Sequence, residues 1–554
     1  MLFLVQPGRN PVARRMRWPL IDRNQFGAVG AGSAMSIGTP GAAGTNRACE
    51  SRGRGLARHG VALLSAWAAG CATLEAPGPD VSEPLAAACL AEFRALDEKI
   101  EAAGVRDAQA TRIEGYPYLR VDRFVAALRP GAGQNPQAIR ALAQRMRSLD
   151  LEARRHEIAN LPRHALVASA GASAEAKRED LRLRVNDCAS ILLKHDLAQG
   201  ARRAGLLARA KVPDDYSDLS RVLGLYALTR HPFVDGVRRY QADVRLAFAR
   251  SLTSPAGGET TRIGPPARMV LPRSAIARIV GLSVRHALDP AHPDPSALGA
   301  LFAAYAPVFE IEQTGAFDRI GALRWTGGAQ HPSIDPAVPV VYGHVAFTRY
   351  RGRTLLQLVY TVWFSERPAR EDGDLLAGVL DGLTWRVTLA PDGTPLIYDV
   401  MHPCGCFHMF FPTARATALP APDDADVEWA FVPQVLPRLA PGVRVAVRIA
   451  TRTHAVERVR VMGAADTDPS THYGFRAYDT LRSLPQPDGG RRSIFGSDGI
   501  IAGSERPERF LFWPMGIRSA GAMRQWGRHA TAFVGRRHFD DADLFEKRFT
   551  FDLK

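Results

Sequence analysis

Cysteine is scarce in this chain: six in 554 residues, at positions 49, 71, 89, 188, 404 and 406. A core for so long a chain must therefore come from apolar packing, and the length allows two or three domains. Long apolar runs are missing too. The stretch from Gly60 to Leu74 covers about 15 residues, short of the roughly 20 that a membrane-spanning helix needs. Residues 71–250 contain no Walker loop, no dinucleotide fingerprint and no Gly-x-Ser-x-Gly elbow, which leaves no motif for nucleotide or serine-hydrolase chemistry there. The net charge of +15 is concentrated at the start of the chain. Residues 1–70 hold nine of the 71 basic residues and two of the 56 acidic ones, so the remainder carries only +8. With no arginine-rich tract and no nucleic-acid module behind that excess, no nucleic-acid partner is expected. It reads as surface charge.

What the first seventy residues do contain is an export pattern. Residues 1–55 are rich in Gly, Ala, Ser and Arg without sustained periodicity. Arg52, Arg54, Arg58 and His59 then precede the apolar run from Val61 to Ala69 and the small residues before Cys71. Basic, apolar, then small is the order of a secretory signal. Ala68-Ala69-Gly70-Cys71 resembles the lipobox of bacterial lipoproteins, with Ala68 where that family usually has Leu. The resemblance implies cleavage before Cys71, lipidation of its thiol and a membrane partner reached through that anchor. Ala72, rather than Asp, after the cysteine implies the outer membrane of the cell envelope, facing the periplasm. A leader of 70 residues is long for the class and points to a start assigned too early, with Met35 as one candidate.

An exported chain leaves four cysteines in an oxidising compartment, and an even number permits disulfides. Residues 71–250 read as a helical domain. Leu85, Cys89, Phe93, Leu96 and Ile100 share one helical face, ended at Gly104. A second helix is expected from Pro136 to Leu151 and a third from Glu175 to Leu197, with Leu181, Val185, Cys188 and Leu192 on its stripe. Cys89 and Cys188 thus both face the helical core, either paired or as two buried thiols. Tyr116 to Asp122 and Pro213 to Ser217 read as loops, and residues 219–251 as two helical pieces broken at His231-Pro232.

Residues 251–267 have the composition of a linker. From 268 to 554, after a short helical passage at Ser296 to Tyr305, strand signals dominate. Val338 to Tyr350 and Thr354 to Phe364 flank an Arg351-Gly352-Arg353 turn. Val443 to Ile449 alternates apolar and polar, with Val456 to Val461 returning beside it. Phe510 to Trp513, His529 to Val534 and Phe545 to Leu553 each look strand-like. The expected class is α+β, a helical N-terminal domain followed by a mostly antiparallel β-rich domain, sandwich or barrel-like.

The densest chemistry lies in that second half. Trp385, Val387 and Leu389 alternate with polar residues up to Pro391-Asp392-Gly393, and the return strand runs through Leu396, Tyr398 and Val400 into His402-Pro403-Cys404-Gly405-Cys406-Phe407-His408. Strand parity puts His402, Cys404, Cys406 and His408 on one face. Imidazole and thiolate are the preferred ligands of zinc and other transition metals, so these four form a candidate metal site. A flat strand spreads its first and last members about 20 Å apart, so the site needs a kink, which Pro403 and Gly405 can provide. Two other readings stand beside it: a Cys404–Cys406 disulfide or redox pair, and buried core residues. His344, His529, His538 and Asp540 are candidate additions to a site. Arg524 to His529, with Trp526, is polar and aromatic enough to line a cleft.

Overall fold

The computed structural model describes residues 84–133, 135–166, 173–250, 259–266, 269–285, 294–422, 427–463 and 466–553. Cys71, the expected lipid site, lies outside them, as do Cys49 and the whole leader. The chain is α+β, with most helices in the N-terminal half and antiparallel-rich sheets in the C-terminal half.

Helices start where the sequence supplies side-chain acceptors. Asn135 accepts from the backbone N–H groups of Gln137 and Ala138 ahead of Pro136–Asn160, where Pro at the first helical position loses no bond it could have made. Ser173 caps Ala174–Ala198, Asp122 caps Arg123–Ala132, and Asp294 caps Pro295–Tyr305. Pro84–Ala102 buries Ala86, Cys89, Leu90, Phe93, Leu96 and Ile100 at helical spacing. Cys89 and Cys188 form a disulfide that joins this helix to Ala174–Ala198, with α-carbons 5.0 Å apart. Its partners are 99 residues apart. Closing so long a loop restricts the unfolded chain by about 3–5 kcal/mol in the chain-entropy model.

Six strands make the larger sheet: β1 (Val340–Tyr350), β2 (Arg353–Arg367), β3 (Gly378–Leu389), β4 (Pro395–Met401), β5 (Met409–Pro412) and β6 (Gly474–Ala477). Their order is β5-β4-β3-β2-β1-β6, antiparallel throughout except for the parallel β1–β6 pair. β6 covers the β1 edge only from Val340 to Gly343. Further along, Ala542 accepts from the Arg349 N–H at 2.7 Å. A five-stranded sheet orders Val456–Val461, Val445–Ile449, Val308–Gln313, Glu259–Gly264 and Thr471–His472.

Several sequence expectations need correction. Glu259–Gly264, within the presumed linker, is a strand of the second sheet, because Ile263 is buried and the chain pairs with Val308–Gln313. Tyr116–Val121 is likewise a strand rather than a loop. The helix Tyr226–Ala249 runs through Pro232. Its start falls at Leu225, which has φ 49°, and burial of Phe233 against Phe512, ring centroids 5.4 Å apart, offsets the hydrogen bond that proline removes. Phe510 to Trp513 is a short helical turn, and His529 to Val534 is irregular. Of Phe545 to Leu553, only Phe549–Phe551 is a strand. Aromatic residues raised β propensity there, but left-handed glycines at 516, 521, 527 and 535 prevent a continuous ladder.

This irregular C-terminal stretch is what positions the site. The described residues form one compact unit in which it bridges the helical half and the larger sheet. Arg482 reaches Asp107 with two bonds of 2.8 and 3.0 Å, and Arg528 Nε donates to the Ala108 carbonyl at 2.9 Å.

Candidate functional site

The His/Cys segment is not a flat strand. β4 ends at Met401, the chain turns, and β5 returns from Met409. The turn is closed by the His402 N–H donating to the Cys406 carbonyl at 3.0 Å and the Gly405 N–H donating to the His402 carbonyl at 2.7 Å. Gly405 has φ +92°, and a Cβ there would lie 2.3 Å from the Ala530 carbonyl oxygen. Only glycine fits.

The four candidate ligands go separate ways. His402 Nδ1 lies 3.2 Å from Asp381, while His408 Nε2 lies 2.8 Å from Asp399. Cys404 and Cys406 are free thiols in contact, packed among Trp363, Leu380 and Met523. Among the described residues no group of three or more His, Cys, Asp and Glu side chains is arranged to hold a metal ion. The zinc or transition-metal site expected around Cys404 and Cys406 with His402 or His408 is thus not seen as a converged ligand group among the described residues. Parity failed because the strand ends one residue before the first ligand, and each ring is drawn to a carboxylate instead.

Those carboxylates are the residues that the sequence reading missed. Asp399 on β4 stands directly opposite Arg386 on β3. Arg386 holds it with two bonds of 2.9 and 2.5 Å, and its guanidinium lies 3.7 Å from the Phe539 ring centroid. Burial opposes the Asp399 charge, but Arg386 and the His408 bond outweigh it and keep the carboxyl below its usual range. Asp381 on β3 is shared by His402, by His454 at 2.8 Å and by Arg506 at 3.4 Å. His454 in turn lies 3.5 Å from Asp318 and stacks on Phe364 with ring centroids 3.8 Å apart. Burial works against a charge on His454, yet Asp318 and Asp381 on either side raise its pKa. Asp381 itself is held well below its ordinary value, with His402 and Arg506 overcoming the cost of burial. The available signal was a charge inside an apolar strand: Asp381 follows Leu380, and Arg386 sits between Trp385 and Val387.

Both networks end on the same stretch of chain. Arg386 Nη1 donates to the Phe539 carbonyl at 2.7 Å, fixing the residue before Asp540. The Pro403 carbonyl accepts from the Arg524 N–H at 2.9 Å, and His529 is buried against this same turn. Thr348 on β1 completes the hold by donating to the Ala542 carbonyl at 2.8 Å. The His/Cys turn is thus a brace under residues 524–542.

Above the brace lies a cleft of about 180 Å³ between the helical half, β1 and that stretch. Trp526, Gly527 and Asp540 line it, as do Asp122, Glu152, Asp479 and Arg145. His344 enters from β1, its ring 4.7 Å from Trp526 and 5.6 Å from Tyr478. The cleft thus gathers His344, Asp540 and Trp526, all singled out in the sequence, and leaves His529 and His538 aside. His538 lies 3.4 Å from Asp214, 3.5 Å from Asp215 and 3.6 Å from Asp541. Burial is opposed by Asp214 and Asp541, which raise its pKa to about 9. It is an anchor for the loop at 213–217. Comparison of the chain with protein-family models, with curated proteins and with solved structures finds no match in any of the three.

The brace has a pH signature. Burial holds the His408 pKa down to about 3, although Asp399 pulls it upward. In the unfolded chain an imidazole titrates near 6.5. A depressed native pKa gives stability that is complete above about pH 6.5 and is lost as pH falls toward 3. Replacing His408 by Gln keeps an N–H for Asp399 and removes the titration. Urea unfolding between pH 6.5 and 4.5 should show the native protein losing stability more steeply than H408Q, by up to about 1.4 kcal/mol per pH unit at the lower end. Parallel slopes would contradict a neutral, buried imidazole.

Proposed function

We propose that this chain is an exported envelope protein, tethered by a lipid on Cys71, that binds a small ligand in the cleft over the His/Cys brace. The observation that carries the binding reading is the cleft's unmet hydrogen-bonding capacity. Gln109 Oε1 is a buried acceptor and Arg145 Nε a buried donor, each without a hydrogen-bond partner, and both residues line the cleft. Burying such atoms costs about 1–3 kcal/mol each, a cost that a ligand's polar groups would recover. A concave site with a few convergent polar groups and aromatic walls is the usual form of a small-molecule site.

Export is supported by the Cys89–Cys188 disulfide, a bond that persists in oxidising compartments, and by the basic–apolar–small order before Cys71. No helix among the described residues is long and apolar enough to cross a membrane. Acyl mass on a mature N-terminus that begins at Cys71 tests the anchor.

Ala346 lines the cleft from β1. A ligand-detected NMR screen of small amines, sugars and carboxylates should find binders to the native protein that the cleft-filling variant A346F loses, with its circular dichroism unchanged. Binders retained in full by A346F, or none at all, would defeat the reading.

A further inference from the structure

One apolar surface lies apart from the cleft. Leu219, Val222, Leu223, Leu225 and Leu228 all face solvent across the short helix Asp218–Leu223 and the start of Tyr226–Ala249. Phe510, Leu511 and Trp513 do the same on the turn that follows Glu508. Their exposure runs from 41% at Leu511 to 72% at Val222. Single exposed leucines need no explanation, but a cluster of large apolar side chains marks an interaction surface.

The two limbs form one apex. The Ser217 N–H donates to the Gly516 carbonyl at 2.8 Å, and Arg221 Nε donates to the Met515 carbonyl at 2.9 Å. Gly224 lies so close to Pro514 that a Cβ on it would stand 2.5 Å from the proline Cβ. Beneath, Phe233, Phe512 and Met515 are buried, so the inner side of the apex is already filled. Leu225 sits at the crest with φ 49°, a left-handed backbone that usually goes to Gly or Asn. A leucine there serves neither the turn nor the core. It does serve a contact with an apolar medium.

Charge is cleared from the apex. Between Asp218 and Arg230 the one charged residue is Arg221, which turns inward, and between Arg509 and Arg518 there is none. Three of these four bordering charges are arginines, and the fourth, Asp218, is paired with Arg536. An apolar crest with a cationic rim matches an anionic bilayer surface in both respects. Trp and Phe suit the boundary between headgroups and acyl chains. A bilayer also accepts protruding side chains without a pocket cut for each of them. This choice of occupant rests on the lipid anchor proposed at Cys71. Twelve residues, 72–83, lie between that thiol and the helix Pro84–Ala102, a reach of at most about 40 Å. So short a tether holds the protein at high effective concentration beside the membrane, where even shallow insertion adds to its hold.

We propose that the apex at residues 219–228 and 510–513 is a membrane-docking face that inserts shallowly into the leaflet holding the Cys71 lipid, with Leu223, Leu225 and Leu228 entering the acyl region and Trp513 at its boundary.

Co-sedimentation with vesicles of phosphatidylethanolamine and phosphatidylglycerol tests the face apart from the anchor. The described residues form one compact unit, so the chain from Ala72 onward serves, made without its lipid. This unlipidated protein should sediment with the vesicles. Leu223→Glu combined with Leu228→Glu should weaken that binding at least about tenfold, with circular dichroism unchanged. Leu183→Glu, at an exposed leucine on Ala174–Ala198, should leave it as it is. Lipids brominated on their acyl chains should quench the native protein's emission more than that of Trp513→Phe. Failure of the unlipidated protein to bind vesicles, or undiminished binding by the double variant, would overturn the proposal even if acyl mass is found at Cys71. A dimer that forms with rising concentration, is lost in the double variant and ignores vesicles would overturn it in favour of a second copy. Vesicle binding that the double variant loses, in a protein without acyl mass, would uphold the face and defeat the anchor.

Discussion

Two ionised carboxylates buried in a β-sheet are the constraint on which the rest of the structure depends. Taking a charge out of water costs several kcal/mol unless it is paired and hydrogen-bonded. Asp399 meets that demand through Arg386 and His408, and Asp381 through Arg506, His402 and His454. Only His402 and His408 share a short stretch of chain, the His/Cys turn, while Arg386, His454 and Arg506 come from elsewhere. Satisfying the two carboxylates therefore requires β3, β4, the His/Cys turn and residues 454 and 506 to arrive together. Removing one partner leaves a buried ion uncompensated, at a typical cost of about 3–5 kcal/mol.

That arrangement reaches the cleft through backbone contacts. Residues 524–542 form no long strand or helix, so their shape is not set by a ladder of their own. It is set by Pro403, Arg386 and Thr348, each bonded to a main-chain group of that stretch. Arg482 and Arg528 then fasten the neighbouring chain to Asp107 and Ala108 of the helical half. The result is a cleft wall built from irregular chain but held on rigid elements. The disulfide plays the same part on the far side, fixing the helix Pro84–Ala102 against Ala174–Ala198.

Much of this was legible in the sequence, for reasons that also explain the failures. Helix stripes announced themselves because Cys89, Phe93, Leu96 and Ile100 repeat at helical spacing. The β1–β2 hairpin was legible from alternation around Arg351-Gly352-Arg353. The His/Cys segment was recognised as unusual, yet its partners were invisible, because Asp381, Asp399 and His454 are brought together by pairing across strands and not by spacing. Metal chemistry followed from residue type and strand parity, and parity ended where β4 turned at His402. Trp526, His344 and Asp540 were each noted as candidates. Nothing local could show that they share a cleft, since about 180 residues and an irregular path separate His344 from Trp526 and Asp540.

Hydrogen exchange followed residue by residue in the Asp399→Asn variant tests the brace most directly. The substitution keeps the side-chain shape while leaving Arg386 without its counter-charge. The account predicts that protection falls in residues 524–542 and in the turn from His402 to His408, with the helix Pro84–Ala102 unchanged. Unaltered protection in residues 524–542, or an equal loss through that helix, would contradict a cleft wall held in place by the buried carboxylates.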